Sequence, residues 1–156
     1  MTAGRYGLIN VNVRKGGPQD RADWLGMRRT LWDDCPDDEQ VREMDEILES
    51  DLEEVFFAEW PGGKLCGFLE VALRSRADGC ETTPVGYIEG WYVDPDSRRQ
   101  GVGRALVEAA EDWARSKGCR QMASDAELWN DISYQAHGAI GYRETARLVL
   151  FKKDLT

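Results

Sequence analysis

The chain has 156 residues, the length of one domain and enough to bury a core. Its content, 42% hydrophobic and 31% charged, is that of a soluble globular protein, and no apolar run approaches the roughly 20 residues a membrane helix needs. A formal net charge of -9 argues against nucleic acid as the main partner and favours a cationic partner or substrate. Taken in chain order, residues 8–13 alternate apolar and polar side chains and predict a first strand. Gly16-Gly17-Pro18 ends it, and Asp20 is placed to cap a helix with Asp23 in its first turn. Trp24, Met27, Arg28, Leu31 and Trp32 recur at helical spacing, and Cys35-Pro36 stops that helix. A second helix, capped by Asp37 or Asp38, carries the stripe Val41, Met44, Ile47 and Leu48. Residues 55–60 and 65–74 are strands joined by Pro61-Gly62-Gly63-Lys64, a hairpin signal.

After a polar loop over 75–84, residues 85–117 are the most informative stretch. They read as a buried strand over 85–93, a turn rich in Arg and Gly, and an amphipathic helix. The helix stripe is Val102, Ala105, Leu106, Ala109, Ala110, Trp113 and Ala114, and Gly118 closes it. A strand feeding such a turn at a helix N-terminus makes an anion site, because the first N–H groups have no intrahelical partner. Arg98, Arg99 and Arg104 bracket the turn and suit a phosphate, while Gly101 and Gly103 let the backbone approach it. Residues 119–126 suggest a short strand, and 130–140 a last helix capped by Asn130 or Asp131. Residues 142–145 and 146–152 read as a final strand or hairpin. The order β-α-α-β-β-β-α-β-α-β predicts a single α/β or α+β domain over 1–156.

The N-terminal 13 residues lack a cationic segment followed by an apolar core, so the cytoplasm is the expected compartment. Cys35, Cys66, Cys80 and Cys119 form no C-x-x-C pair and the chain holds one histidine, so reduced thiols and no metal site are expected. Acid is concentrated over 33–54, where Arg42 is the lone basic residue. Most of that run reads as a solvated helix face, with some members placed to rim a pocket for a polycation.

Arg98-Arg99-Gln100-Gly101-Val102-Gly103 resembles the R/Q-x-x-G-x-G/A signature of the GNAT superfamily of acetyl-CoA-dependent N-acyltransferases. Tyr92-Val93-Asp94-Pro95 before it and the amphipathic helix after it are similar to that motif's surroundings. There is no G-K-[ST] of a P-loop and no G-x-G-x-x-G in an N-terminal β-α-β unit. Within the superfamily the chain resembles aminoglycoside 6′-N-acetyltransferases. The residues that suggest it are Leu31-Trp32, Glu89-Gly90, the run Gly118-Cys119-Arg120-Gln121-Met122-Ala123-Ser124-Asp125, and Asn130 through His137 to Gly141-Tyr142.

The resemblance implies a GNAT-like, mixed and mostly antiparallel central sheet flanked by helices, a homodimer built on residues 146–152, and antibiotic resistance as the outcome. It implies acetyl-CoA as co-substrate, in an opening between the central strand and the one near Cys119. Trp91 and Val93 would pair with the pantetheine arm, and the loop of Arg98, Arg99, Gly101, Val102, Gly103 and Arg104 would cradle the pyrophosphate. Asn130 would contact the pantetheine or reach across the cleft. The chemistry is direct attack of an amine on the thioester, which needs a base for the amine proton and a donor for the oxyanion, such as a backbone N–H near Trp91–Val93. Glu89 and Asp125 are the expected carboxylates, with Asp125 the base; Glu70 is a further candidate. Strand alternation puts Glu89 on the face of Tyr87, Trp91 and Val93. Trp32 and Asp34 would wall the sugar site. His137 stands where many members of the superfamily carry the Tyr that protonates the leaving thiolate, and would serve as that acid or contact CoA; Tyr134 and Tyr142 are alternative acids. Other acceptors, such as a polyamine, a small amine or a protein amine, stay open at this point, as does a non-catalytic acyl-CoA sensor.

Overall fold

Runs rich in aromatic and branched residues build the sheet. The computed structural model describes residues 10–156. Its strands are β1 Asn12–Lys15, β2 Glu53–Glu59, β3 Leu65–Arg74, β4 Val85–Val93 and β5 Met122–Ser124, arranged in that order across one sheet. The first four pair antiparallel and β5 joins β4 in parallel. The mixed, mostly antiparallel sheet is the one expected. Leu8 and Ile9 of the expected first strand lie outside the described residues.

The period of two along β2 divides the core. Phe56 and Ala58 face helix α3, Val102–Ser116, in a cluster with Leu69, Val71, Ile88, Leu106 and Trp113. Val55 and Phe57 face helices α1, Arg21–Leu31, and α2, Asp37–Glu49, in a cluster with Trp24, Met44, Phe68 and Tyr92. Trp24 and Phe57 meet edge to face at 5.7 Å and are fully buried. Side chains of this kind each contribute about 1.5–3 kcal/mol on burial. Between β2 and β3, Gly62 and Gly63 take φ of +100° and +91°, which allows Trp60 N–H to reach Lys64 O at 2.9 Å.

Four local expectations are corrected. Asp20 precedes α1 but makes no side-chain cap, because Arg14 holds its carboxylate in a fork at 2.8 and 2.9 Å. Helix α2 starts at Asp37 without a side-chain cap, and Asp37 pairs with Arg29. In its stripe, Gln40 is buried where Val41 was expected, and Val41 is exposed. Residues 143–156 form no strand with this chain's sheet; Leu148, Val149, Leu150 and Phe151 stay exposed. Their apolar pattern satisfies a strand, but nothing in the chain's own sheet pairs with it.

A fifth correction shapes the site. Glu70 of β3 lies opposite Gly90, and the next residue, Val71, lies opposite Ile88. Glu89 is therefore the extra residue of a β-bulge, and the bulge shifts the phase of the strand. Before it, Gly86 and Ile88 face α3; after it, Trp91 and Val93 do. Tyr92 and Gly90 turn to the α1–α2 side, where a Cβ on Gly90 would strike the Trp32 ring. Tyr87 and Trp91 are consequently on opposite faces.

Candidate active site

The parallel pairing of β5 with β4 ends at Ile88 and Ser124. Beyond it, β4 runs on through Val93 with an open edge. Asp94 N–H donates to Cys66 O of β3, so by alternation the peptide groups of Val93 and Trp91 point to the open side. Arg98 Nε donates to the Val93 carbonyl at 2.8 Å, which folds the turn back against the strand. The turn contains a short 3-10 segment, Pro95–Ser97, then Arg99 at φ +60° and Gly101 at φ +84°. Gly101 is the N-cap of α3, which has no side-chain cap and no acid in its first turn. The first N–H groups and positive dipole end of α3 are thus left to an anion. Gly103 serves a different purpose from the one expected: a Cβ there would meet the Trp91 indole at 3.0 Å, so its bareness lets helix pack on strand. Arg98 and Arg99 are exposed, Val102 is buried, and Arg104 Nη2 donates to Ala139 O at 3.0 Å.

Helix α4, Asp131–Ala139, borders the same opening. Asn130 is its N-cap, accepting from Ser133 N–H at 3.0 Å. His137 Nδ1 donates to Ser133 O at 2.7 Å, and Nε2 is hydrogen-bonded to Ser124 Oγ at 2.8 Å. The ring stands edge-on to Trp91 at 5.2 Å and to Tyr142 at 5.9 Å. Of the alternative acids, Tyr134 donates to Glu144 at 2.8 Å in an exposed position. The Tyr142 hydroxyl is buried without a partner among the described residues, and burial pushes its pKa up.

On the α1–α2 side the bulge aims Glu89 outward. Arg74, the last residue of β3, grips it in a fork, Nε to Oε1 at 2.9 Å and Nη2 to Oε2 at 2.8 Å. The same guanidinium lies 3.5 Å from the centre of the Tyr87 ring. Tyr87 donates its hydroxyl to Asp125 Oδ2 at 2.5 Å. Glu89 and Asp125 are thus joined through Arg74 and Tyr87. Burial raises the Glu89 pKa above the usual carboxylate range, against the pull of Arg74. Burial and the Asp125 hydrogen bond raise that of Tyr87.

Trp32 closes this side. Its ring lies over Gly90 and meets Phe68 at 6.1 Å, and the Arg28 guanidinium stands 4.5 Å above it. Glu70 is corrected from a substrate candidate to the support behind this wall. It is 4% exposed, and its Oε1 accepts from Arg28 and from Trp24 Nε1. Arg28 also binds Gln40 at 2.9 Å and Glu43, while Gln40 donates to Trp32 O at 3.0 Å. Asp34 is exposed in the turn after Trp32. Much of the acidic run ties helices together: Glu43 to Arg28, Asp37 to Arg29 and Asp45 to Arg21.

Sequence reasoning missed Arg74, Tyr87, Arg28 and Ser124 as site residues. Arg28 carried a signal, since it interrupts an apolar helix stripe just as Glu70 interrupts an apolar strand, and buried charges seek each other. Arg74 and Tyr87 became legible only with the β3–β4 register, which puts Ala72 opposite Tyr87.

A strand with one open edge, a turn that leaves the following helix N-terminus without a side-chain cap, and carboxylates on the opposite side are an arrangement that suits an acyltransferase. The description "Acetyltransferase (GNAT) family" matches residues 24–142, and the chain belongs to that family. It is 44% identical to an aminoglycoside N(6')-acetyltransferase type 1 of Klebsiella aerogenes, over 92% of this chain and 96% of that protein. A protein of the same name from Stenotrophomonas maltophilia is 40% identical over 92% and 93%. Among solved structures, AAC(6')-Iy in complex with the bisubstrate analogue CoA-S-monomethyl-acetylneamine superposes with a TM-score of 0.88 at 35% identity, over 93% of this chain and 99% of that one. AAC(6')-Ih from Acinetobacter baumannii gives 0.87 at 34%, over 94% and 99%.

Proposed function

We propose that this protein transfers acetyl from acetyl-CoA to the 6′-amine of an aminoglycoside, and so confers resistance. The observation that carries this is the meeting, where β4 runs on past its pairing with β5, of an open strand edge and a wall that carries carboxylates. The relatives' names and the bisubstrate complex of AAC(6')-Iy support the acceptor. The acyl donor fits: its pyrophosphate takes the Arg98–Gly103 turn and α3 N-terminus, and its pantetheine lies along Trp91 and Val93, near Asn130. The acceptor enters between Trp32 and Asp125.

An amine is mostly protonated at neutral pH and attacks only when neutral. Asp125 accepts that proton, directly or through water, while Glu89 binds and orients the cation. A free N–H of the β4 edge holds the oxyanion. The proton returned to the thiolate comes from His137 in its doubly protonated form: Nδ1–H stays on Ser133 O, and Nε2, beside Ser124 Oγ, carries the proton that is given up. A CoA-release assay tests the acceptor class. Turnover is expected with an aminoglycoside carrying a 6′-amine and not with peptide amines. Turnover with peptides alone would overturn the reading.

The protein works as a homodimer, in the cytoplasm, as a single domain. No helix among the described residues is long and apolar enough to cross a membrane. The support for the dimer is residues 143–156: they pair with no strand here, and Phe151 is 92% exposed. The outer edge of β5 is unpaired and α4 contributes no buried residue, so a second copy has an edge and a face to cover. Light scattering should give a dimer for the full chain and a monomer when the chain ends at 142. A monomeric full chain would sink this part.

A further inference from the structure

Glu89 already has a cation. Arg74 occupies both of its oxygens in fork geometry, at the place where the proposed function puts a substrate ammonium. We infer that Arg74 is an exchangeable internal counter-ion: it holds Glu89 until a spare ammonium of a polycationic acceptor displaces it. The inference deepens the proposed function and rests on it.

Three features make exchange feasible. The pair is half-open, with side-chain exposures of 43% for Arg74 and 32% for Glu89, so a ligand can reach it. In contrast, the pair of Arg28 and Glu70 is sealed at 2% and 5%. The charges that act on Glu89 are Arg74 from the end of β3, Asp125 beyond β5 and Glu53 from the start of β2, with the Tyr87 phenol alongside. Three carboxylates against one guanidinium leave a net negative site that draws a further cation. Finally, the Tyr87 ring gives the displaced side chain a second anchor. Arg74 can release Glu89 and stay over the aromatic face.

Exchange would also favour polycations over monoamines. The amine that attacks must give up its charge, so a monoamine has no ammonium left to displace Arg74. A molecule with several ammonium groups does. In the free protein Arg74 lowers the Glu89 pKa against the burial that raises it, and so favours the charged carboxylate on which the substrate docks.

The test uses the full chain and an aminoglycoside with a free 6′-amine. For Arg74→Met, acceptor KM at pH 8 should fall about threefold to fivefold, the affinity equivalent of a partly exposed ion pair. As pH is lowered, that KM should rise more steeply than in the parent, because Glu89 without a counter-ion takes up a proton. Arg74→Lys, which keeps the charge without the fork, should lie between. In nitrogen-labelled parent protein, the Arg74 Nε–H signal should move when the aminoglycoside binds. A KM that is unchanged or raised at pH 8, with an unmoved Nε–H signal, would show a fixed structural pair and overturn the inference. A parent that does not acetylate the aminoglycoside would instead overturn the proposed function.

Discussion

Arg28→Met is expected to lower the unfolding free energy by about 3–5 kcal/mol at pH 7.5, as for other buried ion pairs broken on one side. The cost comes from what is left behind. Glu70 is 4% exposed and would keep only the Trp24 indole N–H as a partner. Gln40, fully buried, would lose its bond to Arg28 Nε. Burial already pushes the Glu70 pKa up, with Arg28 the main opposing influence. Without Arg28 the carboxyl should rise further and take up a proton on folding. A folded state that binds more protons than the unfolded one gains stability as pH falls. The deficit should therefore shrink on acidification, down to the pH at which other carboxylates begin to fail. The double variant Arg28→Met, Glu70→Leu should recover most of the loss, since neither charge is then stranded. Urea unfolding of the parent, both single variants and the double variant reads this directly. A single variant within 1 kcal/mol of the parent, well under the usual cost, would mean that water reaches this network.

Asp125→Asn should reduce turnover at least about tenfold near neutral pH, at the low edge of the usual range for acid–base groups. The amide keeps the shape and still accepts the Tyr87 hydroxyl, but it cannot take a proton from the attacking amine. As pH rises toward the amine's own pKa, more substrate is already neutral and the deficit should narrow. Steady-state rates between pH 6 and 9 would show the convergence. An equal rate at every pH would remove Asp125 from the mechanism. Tyr87→Phe is the control for geometry, because it frees the carboxylate while leaving the base in place.

How far the sequence could be read depended on the kind of signal. Local patterns sufficed for β4, α3 and the turn between them: an apolar run, a helical stripe, Gly118, and arginines around Gly101. Asn130 as an N-cap was equally local. Failures came where a side chain's partner was set by how the elements fold onto one another and not by the local pattern. Asp20 reads as a helix cap until β1 brings Arg14 to it. Glu70 reads as a functional acid until α1 lays Arg28 over it. Arg74 draws no notice until the β3–β4 register sets it beside Glu89 and Tyr87. The tail shows the same limit from another side: a run of apolar residues such as Leu148 to Phe151 says that a segment can pair, not with what.

The bulge at Glu89 adds a side chain to β4 without disturbing what lies on either side of it. A chain lacking Glu89 would alternate without interruption, Ile88 toward α3, Gly90 toward Trp32 and Trp91 toward α3 again, and would keep its pairing with β3. Both packed layers would survive that loss. What would go is the outward carboxylate and the fork that Arg74 makes with it. The extra residue is thus a graft on a strand that is already complete, and it separates what the strand needs to fold from what it presents at its surface.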